Sequence, residues 1–367
     1  MTSSNPLLAS SQIMSNVTDE EHHHDIDDKV TLSLSYVHIV LLPVFSLLTI
    51  LANLATVYAF IKDRSLREKP SDLLILSLSG SDLMMGLIVL PLASPNMMLN
   101  GYWPFGESIC RVMNVVSAMS SESSLLILVA ISFDRYLLVS IPYPRYVKRQ
   151  SQHRIYLYIG MSWGIAAVPC VIEGIFWEHA KKIDATAAGI DFNTTCLSPS
   201  RRIGELAAVL FLVFVLMPIL FVIFLNTVFL YRLRKRLKAR NRVNPSNHAD
   251  EGDMSTDTNS APINHNLGTG ETRISASSSS NRKKSKYMKP AITLAVLVAA
   301  MLVCMLPYCL YVMVVEVFCP GCDSDITVVW NLSLLIDLNS LLNPCLYAAT
   351  QNKIRRFYRA RFKIQDS

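Results

Sequence analysis

The sequence predicts an all-α membrane protein: a bundle of seven transmembrane helices, N-terminus outside, followed by a short amphipathic helix. Three observations carry that prediction. Hydrophobic residues make up 51% of the chain and charged residues only 17%, less charge than a soluble domain of this length carries. The apolar residues are gathered in seven blocks, 35–61, 71–94, 108–133, 155–177, 204–231, 290–315 and 326–349. Each is long enough to cross the roughly 30 Å hydrocarbon core at about 1.5 Å per residue. Basic residues fall on one side: 28 of the 34 lysines and arginines lie in 62–70, 134–154, 232–289 and 351–367, which is the positive-inside pattern.

Taken in order, residues 1–33 are polar, contain EEHHHDIDD and read as a disordered extracellular tail. Three adjacent histidines among acids could hold a metal weakly, but no second ligand cluster accompanies them. Residues 34–239 carry the first five spans. Length and the lack of two-residue alternation favour helices, and an open strand leaves its backbone unsatisfied in hydrocarbon. Residues 240–285 are rich in Ser, Asn, Thr, Asp and Gly and read as a disordered cytoplasmic third loop, with SASSSS open to phosphorylation. Its flanks, YRLRKRLKAR and NRKKSKYMK, extend spans five and six into the cytosol. Residues 286–350 carry spans six and seven. In 351–367, QNKIRRFYRARF sets Ile354, Phe357, Tyr358 and Phe362 at helical spacing between Lys and Arg, an amphipathic helix lying on the inner membrane face.

The net charge of +6 belongs with cytoplasmic loops beside anionic lipid rather than with nucleic acid. No phosphate-binding glycine loop and no Ser/His/Asp arrangement stands in an aqueous segment, so an enzyme is not expected. MTSSNPLLAS lacks the basic start and long apolar run of a cleavable signal, so span one is expected to act as its own insertion signal. Asn16-Val-Thr and Asn193-Thr-Thr are glycosylation sequons on the outer side. Asn331-Leu-Ser falls in a span and is expected to be silent. Cys170, Cys304, Cys309 and Cys345 lie in spans and read as reduced packing residues. Cys110 and Cys196 lie on the outer side, where disulfides persist. Cys319-Pro-Gly-Cys322 offers too few ligands for zinc and reads as an oxidised clamp in the loop between spans six and seven.

Polar residues at membrane depth usually face one another or a wet cavity. Here they include Asn53, Asp82, Ser117, Glu122, Ser124, the run Asp134-Arg135-Tyr136, Asn226, Asp337, Asn339 and Asn343. Pro169, Pro218, Pro307 and Pro344 interrupt spans four to seven, and each frees backbone groups and bends its helix. Kinks plus a polar chain suggest a cavity that changes shape.

With these motifs in order, one per helix, the chain resembles a rhodopsin-like (class A) G-protein-coupled receptor over nearly its whole length. The marks are Asn53, LSLSGSDLMMGLIVLP around Asp82, YWPFGESIC, SFDRYLLVSIPYP, Trp163, Pro218, CMLPY and NPCLY. GLIVLPLAS and GYWPFG resemble the biogenic-amine and muscarinic group. FLNTVFLY and the CPGC loop are similar to the histamine receptors that couple to inhibitory G proteins. The resemblance implies a multi-pass plasma-membrane receptor that answers a small extracellular ligand and activates a heterotrimeric G protein, with membrane lipids around it. It implies a Cys110–Cys196 disulfide, a sodium- and water-filled pocket lined by Asp82, Ser124, Asn339 and Asn343, and Arg135 restrained by Asp134. Beside Tyr136, the activation parts carried over are Met305, Pro307 and Tyr347. Other cofactors are not expected.

The departures bear on the ligand. Amine receptors place an aspartate seven residues after the outer cysteine of span three, and here that position is Ser117. A hydroxyl is no counter-ion for an ammonium in a low-dielectric pocket. The aromatic residues expected two and six positions before Pro307 are Met305 and Met301. Asp337 lies mid-span, where a carboxylate costs roughly 3 kcal/mol, at a position that faces the ligand cavity in the family. Because it is not lysine, a retinal Schiff base is excluded there. The reading is that the counter-ion has moved to Asp337, with Ser117 and Tyr308 as neighbours and Glu122 as second candidate acid. The structural alternative is a neutral Asp337 sharing its proton with Ser117 or Asn339. Rival functions are a receptor for a peptide or other non-amine, favoured by Ser117, Glu316, Asp323 and Asp325, and a seven-span transporter or a non-signalling partner. Internal inverted repeats, the mark of a transporter, are not found.

Overall fold

The computed structural model describes residues 40–68, 70–99, 101–187, 196, 204–243, 295–318 and 326–362. The expected glycosylation sites Asn16 and Asn193, the Cys319–Cys322 clamp, the 1–33 tail and all but the start of the 240–285 loop lie outside these residues. Among the described residues, seven helices are long and apolar enough to cross a membrane. Spans one to three are Val40–Lys62, Asp72–Met98 and Gly106–Ser140. Span four is Gln152–Ala187, and span five runs from Gly204 to Val243 in three segments. Span six is Ala295–Val315 and span seven Ile326–Thr350. Short helices occupy Arg64–Arg67 and Tyr143–Arg149 between spans, and Asn352–Phe362 follows span seven. "Outer" and "inner" denote the ends that carry Cys110 and Arg135.

Several helices outrun their apolar blocks. Span three has 35 residues, about 52 Å, because its polar ends continue as helix into the headgroup and aqueous layers. Span five continues to Val243, so the first residues of the segment expected to be disordered, 240–243, are helical. RLRKRLKAR is built from good helix formers, and the helix has no reason to stop at the membrane edge.

Apolar residues are distributed as bilayer solvent requires. Val303 is 71% exposed, Ile175 71% and Val40 64%, on faces that meet lipid. The interior core joins Phe60, Leu78, Leu128, Phe229, Met301 and Tyr347. Spans one and two approach closely at a glycine. Gly86 sits where an added Cβ would lie 3.1 Å from Ile50 Cγ1 and 3.2 Å from Thr49 Cγ2, and its carbonyl accepts from Ser46 Oγ at 2.9 Å. Asn53 Nδ2 donates to the Ser340 carbonyl at 3.1 Å, tying span one to span seven. Trp163 Nε1 donates to Ser77 Oγ at 3.1 Å, tying span four to span two.

The expected helix after span seven is present. Its apolar face is not left for lipid alone: Ile354 is 0% exposed and joins the central core. Phe357 packs edge-on against Tyr58 with ring centroids 6.1 Å apart, and Tyr358 Oη lies 3.4 Å from Thr56 Oγ1. This helix thus adds to the core at its inner end. Burial raises the Tyr358 phenol above its ordinary pKa. Cys345 is corrected, for it is exposed, whereas Cys170, Cys304 and Cys309 are buried and free.

Candidate functional site

Span three reaches the outer surface through YWPFGESIC. Gly101 and Gly106 adopt φ of +90° and +73°, conformations that side chains disfavour, and between them Trp103 is fully buried with its Nε1 donating to the Gly106 carbonyl at 2.7 Å. This turn delivers Cys110 to Cys196, and the expected disulfide is present. Asn114 Nδ2 points at both sulfurs, 3.4 and 3.7 Å away. Beside it, Glu107 accepts from Trp177 Nε1 at 2.8 Å and Lys181 Nζ at 2.9 Å, while Arg111 bonds Glu107 and Glu178 and stacks over Trp177, 4.8 Å from its centroid. Spans three and four are thereby pinned at their outer ends.

Beneath the disulfide lies a cavity of about 620 Å³, within the range of small-molecule sites. All four residues expected to meet ligand line it: Ser117 and Glu122 from span three, Tyr308 from span six and Asp337 from span seven. Met305 lines it as well. No lysine, arginine or histidine is among its described lining residues. Asp337 has no hydrogen-bond or ion-pair partner among the described residues, and neither has Glu122, whose Oε2 is fully buried. The supposed proton sharing of Asp337 with Ser117 or Asn339 is not seen. Two π-helical turns among the described residues, Met85–Val89 in span two and Phe211–Leu216 in span five, present Met85, Val89, Phe211 and Val215 to this cavity. Such widened turns recur at functional sites.

Directly inward is a void of about 20 Å³, lined by Ser124, Asn339 and Ser340 together with Met301 and Met305, room for about one water. Asn343 Nδ2 donates to Asp82 Oδ2 at 3.1 Å, and Ser124 Oγ lies 2.9 Å from Ser81 Oγ. Asp82 Oδ1 and Asn339 Oδ1 are buried without partners among the described residues. Asn339 lines the void and Asp82 does not, but unsatisfied carboxylate and amide oxygens of this kind fit a small hard cation. Met85, Ser121, Met305 and Ile336 belong to the walls of both spaces.

At the inner end Asp134 and Arg135 form the expected pair, but loosely, with Arg135 Nη1 3.6 Å from Asp134 Oδ2. A closer partner escaped the sequence reading. Tyr146, on the short helix between spans three and four, donates its hydroxyl to both Asp134 oxygens at 3.2 and 3.1 Å and accepts from Gln150 Nε2 at 2.7 Å. Burial, then the Asp134 charge, pushes the Tyr146 phenol well above its ordinary pKa, so it remains a donor. The available signal was PYPRYVKR, which places Tyr146 one helical turn beyond Pro142. Tyr136 lies under Arg232 of span five, 5.3 Å from ring centroid to guanidinium, and Asn226 Nδ2 donates to Ser132 Oγ at 3.0 Å. Tyr347 is fully buried in the core with its hydroxyl unpartnered among the described residues.

Comparison with known proteins agrees with this architecture. The family model for the 7 transmembrane receptor (rhodopsin family) matches residues 52–347. The chain is 27% identical over 351 residues to the D(1C) dopamine receptor of Xenopus laevis, covering 91% of this chain and 69% of that receptor. It is 26% identical over 376 residues to the Histamine H4 receptor of Mus musculus, covering 87% of this chain and 90% of that one. A shorter match, 34% identical over 126 residues, is to the D(1B) dopamine receptor of Homo sapiens. An ordered set of span motifs, a bridged outer cavity and a matching family model together place this chain in the rhodopsin family of G-protein-coupled receptors, as a relative of the biogenic-amine receptors.

Proposed function

We propose that this receptor binds a small amine-type cation in its outer cavity, with Asp337 as the counter-ion, and passes the binding event to a heterotrimeric G protein at its inner face. The observation that carries the reading is an unpaired carboxylate in a cavity that no described basic side chain lines. Such a group is expensive unless a cation joins it. Kinship with dopamine and histamine receptors supports an amine; Ser117 explains why the charge must come from another position.

Signal transmission follows from shared walls. Met305 and Ile336 contact both the ligand cavity and the polar void, so a ligand that moves them alters packing around Asn339 and Asn343. Asp82, Ser124, Asn339 and Asn343 are the residues that would hold a sodium ion, whose charge would stabilise the resting arrangement. Rearrangement of spans six and seven then frees Tyr347 from its buried seat and Arg135 from Asp134, opening a surface for the G protein.

The test is G-protein activation in cells expressing wild type or Asp337→Asn, with dopamine, histamine and acetylcholine as probes. Removing the charged partner is expected to cost about 3 kcal/mol, near a hundredfold in potency. A response that survives in the surface-displayed variant makes Asp337 structural. A response to neutral ligands alone favours the non-amine reading that Ser117 supports.

A further inference from the structure

The cavity is lined by more carboxyl groups than one ammonium would answer. Glu122 lines it from span three, Glu173 from span four and Asp337 from span seven; Glu173 has an interaction of its own, which leaves Glu122 and Asp337 as two unpartnered acids on separate helices. Glu122 stands five residues inward of Ser117, about 7.5 Å along the helix, with its Oε2 buried and unpartnered among the described residues. Asp337 belongs to the wall where span seven packs on span two through Leu334, Met85 and Val89. The nearby bases do not neutralise them: Arg111 and Lys181 are engaged by Glu107, and neither lines the cavity. Apolar side chains, among them Phe211, Val215 and Met305, supply the rest of the wall.

We propose that the ligand is a small dication with two protonated nitrogens joined by an apolar spacer, one nitrogen held by Asp337 and the other by Glu122. This rests on the reading of Asp337 as an amine counter-ion and extends it. A single cation would leave one carboxylate uncompensated at low dielectric, whereas a two-nitrogen molecule satisfies both and lays its spacer against the thioether and aliphatic surface. The second charge also explains how the family's span-three aspartate is dispensable here: span three still contributes an acid, deeper in the cavity.

The experiment uses the full-length receptor, with a graded series of α,ω-diaminoalkanes and the corresponding monoamines as probes. G-protein activation in cells and ligand-induced thermal stabilisation of the purified receptor in nanodiscs are both read. A diamine of optimal length is expected to exceed its monoamine by about tenfold or more, with the ratio collapsing toward one in Glu122→Gln. Glu122→Asp, which keeps the charge on a shorter arm, is expected to move the optimum to a longer diamine, and it serves where Glu122→Gln does not reach the surface. Equal potency of diamines and monoamines, or a ratio unchanged by Glu122→Gln, overturns the dication while Asp337 stands, provided Asp337→Asn still abolishes the response. If neither series activates or stabilises displayed wild-type receptor, the amine reading falls and this proposal falls with it.

Discussion

Asp134 has two partners of unequal quality, and the better one is a neutral phenol. Its contact with Arg135 is long, 3.6 Å, while Tyr146 holds both of its oxygens. A hydrogen bond to a charged acceptor contributes about 2 kcal/mol. Tyr146→Phe is therefore expected to loosen the resting state and raise ligand-independent nucleotide exchange several-fold, measured on membranes with purified G protein. The pH dependence has a definite sign. The folded phenol titrates above the ordinary tyrosine value of 10.0, so its stabilisation is complete below that pH and is lost only on going above it. Basal exchange should not drift through this group between pH 6 and pH 9. Residue identity told much of this from sequence: Asp82, Arg135 and Asp337 were conspicuous because charge in an apolar run needs a reason. Tyr146 was not, since a tyrosine in a polar loop violates no rule, and its partner is fixed by how the loop folds back.

At the scale of elements, the spans were legible because hydrocarbon demands long apolar blocks, and their ends were not, because helix formers continue past the bilayer without penalty. The helix after span seven was legible as an element, but the protein neighbours of its apolar face were not. Its spacing reveals an apolar face but not what covers it. With Ile354 wholly buried, Ile354→Ala should cost about 3 kcal/mol and lower the melting temperature of the purified receptor, whereas Arg356→Ala on the exposed face should leave it nearly unchanged. The disulfide ties residues 86 apart, for which chain entropy gives about 4.5 kcal/mol. Cys196→Ser should reduce surface display sharply, and any ligand response should be lost with it because Cys196 also lines the cavity.

Across the whole molecule, one polar line runs inward from Asp337 past Asn339 and Asn343 to Asp82, while span three carries Ser117, Glu122, Ser124 and Asp134 alongside it. The two lines meet at the small void through Ser124 and Asn339, and the proposed sodium site is tested there. Sodium should lower agonist affinity in wild type, and Asp82→Asn should abolish that effect, as read by agonist competition in sodium and in an equal concentration of N-methylglucamine. The sequence revealed that these residues exist and share membrane depth. Which of them share walls depended on side-chain packing among methionines, whose flexibility leaves no periodic trace. The widened turn Phe211–Leu216 carries a consequence for kinship itself. A π turn holds one residue more than an α turn, and each residue turns a helix by about 100°. Counting outward from Pro218 therefore names the wrong equivalents in any relative that lacks the widening. Deleting a single residue there would swing the outer third of span five round its axis, exchanging what faces lipid for what faces ligand, without altering any chemical group.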